Sequence, residues 1–157
     1  MKYYSTYVTL HIIFAGMWLI FFAAEIILKN QIENATKVDI KNKLMSIYLQ
    51  FTNLFGIVGS VGIAVTGIIM VLLNPSWGFF DMSHAHWLAT KQILFVIILL
   101  NTFLRIIPAS KKLRTLMSQD DNDATYFQYR NVVKINLIIN VLVILNFVFA
   151  ITHRFYS

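Results

Sequence analysis

The chain has no cysteine, which excludes disulfides, thiolate metal sites and cysteine nucleophiles. It is also poor in charge: Asp, Glu, Lys and Arg make up 13% of 157 residues, against roughly 25% in an ordinary soluble domain. Proline occurs twice and glycine six times, so few points can break a helix. There is no phosphate loop, no HExxH, no nucleophile constellation and no carboxylate pair, so the common hydrolase and nucleotide-binding chemistries have no foothold. No internal repeat or low-complexity tract is visible.

What is present is apolar. The hydrophobic fraction is 58% and the mean hydropathy is +0.68, values that suit lipid rather than water. Four continuous apolar segments, about 3–28, 47–73, 86–108 and 132–152, can each cross a hydrocarbon core of about 30 Å at about 1.5 Å per residue. They do not alternate as strands do. The expectation is an all-α, integral membrane four-helix bundle forming one transmembrane domain over 1–157. Only Lys2 precedes the first run, and no small-x-small cleavage pattern follows it; it reads as a retained helix. Pro108 marks the expected end of the third helix.

The net charge of +6 raises nucleic acid as a partner, but the basic residues lie between apolar blocks and form no single face. Loop one (29–46) carries Lys29, Lys37, Lys41 and Lys43, and loop three (109–131) carries Lys111, Lys112, Arg114 and Arg130. Loop two (74–85) carries none, and the termini hold only Lys2 and Arg154. The positive-inside rule then places loops one and three in the cytoplasm and both termini outside, in a bacterial inner membrane. His11, His84, His86 and His153 all fall on the outer half.

Ionisable residues within membrane helices are costly and point to function. His11, Trp18 and Glu25 are spaced by seven, as are Lys91, Ile98 and Arg105; seven residues make nearly two turns, so each set shares a stripe. Two layers follow. Glu25 and Arg105 are expected to pair near the cytoplasmic face, as a structural ion pair or a propionate partner, unless both snorkel. His11 and Lys91 face each other roughly 12 Å deep. Neutral imidazole and amine are metal ligands, so they can hold a heme iron; alternatively His11 bonds a neighbouring helix and Lys91 snorkels.

Beyond that layer, Asp81, Met82, His84 and His86 in "DMSHAHW" offer a copper site. On a helix the two rings of H-x-H point about 200° apart, so shared ligation needs a turn; solvated loop histidines are the other reading. His86 is also an alternative axial ligand, and His153 sits at an interfacial terminus. Gly56, Gly59, Ser60, Gly62, Ala64 and Gly67 make a small-residue seam for close helix approach. Asn136 and Asn140, four apart, are set to bond across helices.

These residues resemble a known group. His11 followed by Trp18 is similar to the first helix of the HemJ-type protoporphyrinogen IX oxidases and of the related CopD-like membrane proteins. Thr66-Gly67 resembles the family's late glycine in helix two, "HWLATKQIL" its third-helix start with Trp87 and Lys91, and Arg130-Asn131 its arginine and asparagine before the last helix. The resemblance implies four membrane helices and heme b held by His11 and Lys91, with Trp18, Trp87 and His86 nearby. It also implies oxidation of protoporphyrinogen IX or electron relay, with a porphyrin or quinone as partner. The chain departs from the pattern at "WLIFFAAEIIL", which lacks the family's glycine and arginine, at Ala89 where the family has histidine, and at Asn131-Val132-Val133-Lys134. These departures keep two other readings open: a non-enzymatic accessory subunit of a larger respiratory complex or a homo-oligomer, with no cofactor, and a copper-handling protein.

Overall fold

The computed structural model describes residues 3–119 and 121–152. His153 and the terminal basic residues Lys2 and Arg154 lie outside the described residues. The fold is all-α, with no strand among the described residues. Helix α1 spans Tyr4–Asn34 and α2 spans Val38–Leu73. Helix α3 (His86–Asn101) passes through a π-helical turn, Thr102–Ile106, into α4 (Ile107–Met117). Helix α5 spans Asn122–Thr152. With α3, the π turn and α4 taken as one rod, four helices are long and apolar enough to cross a membrane.

The helices outrun the apolar segments. The connection between α1 and α2 shrinks to 35–37, where Ala35 and Lys37 are extended. At about 1.5 Å per residue, the 31 residues of α1 reach about 46 Å, beyond the hydrocarbon core of about 30 Å. Loops one and three of the sequence reading are therefore mostly helix. Hydropathy marks where lipid contact ends, not where the helix ends: 29–46 contains no Pro or Gly, and Ile32 and Met45 lie in a buried cluster with Tyr48, Leu49, Leu113, Tyr129 and Val132 that joins the four rods at this end. Lys41 caps the cluster over the Tyr126 ring, 4.1 Å from its centroid.

Pro108 does not end the third helix, contrary to the expectation from sequence. The Ile107 N–H donates to the Thr102 carbonyl, an i to i+5 bond, just before the proline. A proline inside an α-helix removes one bond and clashes with the carbonyl four residues back; the wider turn takes up that strain and the helix continues to Met117. A π turn also adds one residue to the helical register, which decides the fate of Arg105 below.

Helices α1 and α2 pack as one antiparallel pair, and the α3–α4 rod packs on α5. Trp18, Phe21, Ile98, Ile106 and Ile139 form the buried cluster between the pairs. The small-residue seam of α2 permits close approach to α1, as the spacing implies: a Cβ on Gly62 would fall into the Phe14 ring, and one on Gly59 would rest 3.7 Å from the Phe14 carbonyl and Trp18. Polarity is inverted relative to a soluble bundle. Ser60, Thr66, Asn136, Asn140 and Glu25 are buried, whereas Ile12, Ile20, Ile27, Val61, Val65 and Leu104 face outward, the arrangement lipid demands.

Candidate functional site

Two polar layers cross the bundle, and α1 carries a member of each. The stripe His11, Trp18, Glu25 holds: Trp18 and Glu25 are buried and His11 is half-buried. On the third rod the stripe holds only from Lys91 to Ile98. The residue added by the π turn puts Ile106, not Arg105, eight positions after Ile98 in the buried row. Arg105 is exposed, and no ion pair joins it to Glu25 among the described residues.

Glu25 is instead held by neutral donors. The Tyr48 hydroxyl donates to Oε1 at 2.6 Å, and the Asn140 amide donates to Oε2. The Asn136 amide donates to Tyr48 Oη at 2.6 Å and lies 3.5 Å from Thr52 Oγ1. Helices α1, α2 and α5 thus meet through one buried network. Asn136 and Asn140 bond across helices as their spacing suggested. Tyr48 and Thr52 escaped the sequence reading, although their i, i+4 spacing puts them on one face of α2. A cavity of about 20 Å³ adjoins the network, lined by Thr52, Asn136, Asn140 and, on the π turn, Thr102.

In the layer nearer the start of α1, His11 Nδ1 lies 2.8 Å from Thr66 Oγ1 on α2, the bond to a neighbouring helix that the sequence offered as the alternative to iron ligation. The Thr66 hydroxyl proton is directed to the Gly62 carbonyl at 2.6 Å, so the threonine oxygen accepts from His11 Nδ1–H. In the neutral ring this leaves Nε2 without a proton, the form that binds metals. Gly67 lies against the ring: a Cβ there would make an ordinary contact, 3.6 Å from His11 Cε1. Lys91 is half-buried and close enough for its charge to act on the His11 ring. Its Nζ lies 5.5 Å from the Trp87 ring centroid. Trp87 meets Trp77 edge to face at 5.7 Å, and Trp77 meets Tyr4 at 6.2 Å, an aromatic group of the kind found at membrane interfaces. Asn146 ties α5 to this level through the Lys91 carbonyl. Trp18 is a core residue seven positions deeper, against Gly59.

The loop histidines are built into a turn. Asp81 accepts from the Ser83 hydroxyl at 2.5 Å, from the Ser83 N–H at 2.9 Å and from His84. The Ser83 hydroxyl and N–H, then His84, lower the Asp81 carboxyl to about 2. His86 Nδ1 donates to the Met82 carbonyl at 2.6 Å, which fixes that exposed ring on the loop, while Met82 and His84 are exposed. Among the described residues no three His, Cys, Asp or Glu side chains are grouped to hold a metal ion. With Nδ1 bonded to Thr66, the Nε2 of a neutral His11 carries no proton, the form of imidazole that would suit a heme iron. Comparison with protein-family models, with curated proteins and with solved structures finds no match for this chain.

Proposed function

We propose that this protein is a HemJ-like, heme-associated membrane protein in which His11 and Lys91 hold a b-type heme. The observation that carries the reading is the His11–Thr66 bond at 2.8 Å, which, with the Thr66 proton on the Gly62 carbonyl, favours the ring tautomer whose Nε2 has no proton. When bound, such a heme supplies one-electron redox chemistry, suited to electron relay or to oxidation of protoporphyrinogen IX. The chain's own part is positional: Thr66 fixes the imidazole, and Trp87 lies beside Lys91 Nζ, which would bind as the neutral amine. We place the protein in a bacterial inner membrane. The helical ends bearing Lys29, Lys41, Lys43, Lys111 and Arg114 then face the cytoplasm, and the loop with no Lys or Arg, 74–85, faces outward.

The test is a reduced-minus-oxidised visible spectrum of full-length protein supplied with heme, beside His11→Ala, Lys91→Ala and Thr66→Val. A b-type signal removed or shifted by the first two, and broadened by the third, supports the assignment; protoporphyrinogen turnover is then the next assay. A featureless spectrum from folded protein refutes it. That result would turn attention to an accessory role in a larger membrane complex, and metal analysis with and without His84 and His86 would address copper.

A further inference from the structure

The heme reading leaves Glu25 without a task. The buried carboxyl sits about 21 Å from the His11 level, fourteen residues along α1 at about 1.5 Å each. Its two oxygens meet Tyr48 and Asn140, neither of which is a cation. The cation that faces it, Lys29 one turn along α1, is exposed and forms no ion pair with it among the described residues, and an ionised carboxylate without a paired countercharge is costly in low dielectric. Two neutral donors offset part of that cost, and a proton removes the remainder. Every partner is a group that can reverse its role: a phenol both donates and accepts, and so does a primary amide. A protonated Glu25 has one O–H to give, so one partner turns to accept it, the Asn140 amide by presenting its oxygen, while Tyr48 goes on donating to the other carboxyl oxygen. A structural carboxylate is ordinarily matched by a fixed cation. Here the titratable and charged groups that face it are Tyr48 on α2, Tyr129 on α5 and Lys29 one turn along α1; Arg105, on the π turn, points outward. The adjoining cavity of about 20 Å³ shares Thr52, Asn136 and Asn140 with the network, is otherwise walled mainly by apolar groups such as Trp18, Phe21 and Ile139, and does not have Glu25 in its lining. Thr102 and Ile106 of the π turn also line it, and such a turn is frequent at functional sites.

We infer that Glu25 is a proton-binding site inside the membrane, taking up and releasing a proton within the network that Tyr48 and Asn140 form around it. On uptake an O–H bond forms on a Glu25 oxygen as one breaks on a hydronium ion, which leaves as water; on release the carboxyl O–H bond breaks as a water molecule takes the proton. Because the network is a polar joint between α1, α2 and α5, each protonation state fixes a different pattern of hydrogen bonds across that joint.

The chain contains only two glutamates, Glu25 and Glu33, and Glu33 is exposed at the end of α1. This permits a test that leaves the network intact. Full-length Glu33→Gln protein in lipid nanodiscs, grown with ¹³C-carboxyl glutamate, would be followed by infrared difference spectroscopy from about pH 4 to about pH 10, a range that includes the documented values for buried glutamates. The expected result is one isotope-shifted carboxylic-acid C=O band. The ratio of protonated to ionised form should change about tenfold per pH unit, as for a single proton. Asn140→Ala and Tyr48→Phe should shift the band, because each removes a bonding partner. No labelled acid band at any pH would overturn the inference, and so would a band of constant intensity across the range. Neither result depends on heme.

Discussion

Glycine 62 gives the sharpest test of how α1 and α2 pack. A Cβ built there falls into the Phe14 ring, whereas one on Gly56 meets nothing within 4 Å. Both positions lie inside α2, so Gly→Ala brings the same helical gain at each, about 0.5–1 kcal/mol. Comparing the two cancels that gain and isolates the steric effect. Overpacking of this kind costs about 1–3 kcal/mol, and the obstruction here is a ring held between helices rather than the mobile end of a long side chain. Gly62→Ala should therefore be less stable than Gly56→Ala by about 1–3 kcal/mol, roughly 5- to 150-fold in the unfolding equilibrium constant at about 1.4 kcal/mol per tenfold. Gly56→Ala should match or slightly exceed the parent. Gly59→Ala, with its first neighbours at 3.7 Å, should behave like Gly56→Ala. In a Phe14→Ala background the penalty at position 62 should vanish, giving a coupling of opposite sign in the double-mutant cycle. Denaturant-induced unfolding in mixed micelles, read by tryptophan fluorescence, measures all of these, since Trp18 lies on the same seam. Equal stability of Gly62→Ala and Gly56→Ala would refute the proposed packing.

Two tyrosines in edge-to-face contact at 5.6 Å should respond in opposite ways. Tyr48→Phe removes a donor to Glu25 and should cost about 2 kcal/mol. Tyr129→Phe should be neutral or stabilising, since Tyr129 Oη is buried without a hydrogen-bond partner among the described residues; the same unfolding assay decides. Arg105→Ala should change stability by no more than about 0.5 kcal/mol, and a loss as large as that of Tyr48→Phe would show that Arg105 does engage Glu25. At the surface, the Asp81 carboxyl should titrate at about 2 against an ordinary 3.8. A lowered folded value stabilises the turn above the ordinary value and loses that contribution as pH falls toward 2. Carboxyl ¹³C NMR should show this, with Ser83→Ala moving the midpoint back up.

The sequence by itself determined what depends on composition and local periodicity. Continuous apolar runs with polar ends require helices in lipid, and their number follows from their length. The stripes His11–Trp18–Glu25 and Lys91–Ile98 follow from a helical repeat, because neighbours seven apart share a face in any undistorted α-helix. The pairing of Asn136 with a partner helix follows from the cost of burying an amide alone. Tertiary structure decided the rest. The π turn at Thr102–Ile106 moved Arg105 off its stripe and carried the helix past Pro108, and no local pattern announces one extra residue in a turn. The partners of Glu25 came from α2 and α5, 23 and 115 residues away, and a contact at that separation is fixed only when the rods pack. The helical ends at 29–46 and 109–117 likewise depend on a buried cluster assembled from all four rods, whereas hydropathy records only what each rod shows to lipid.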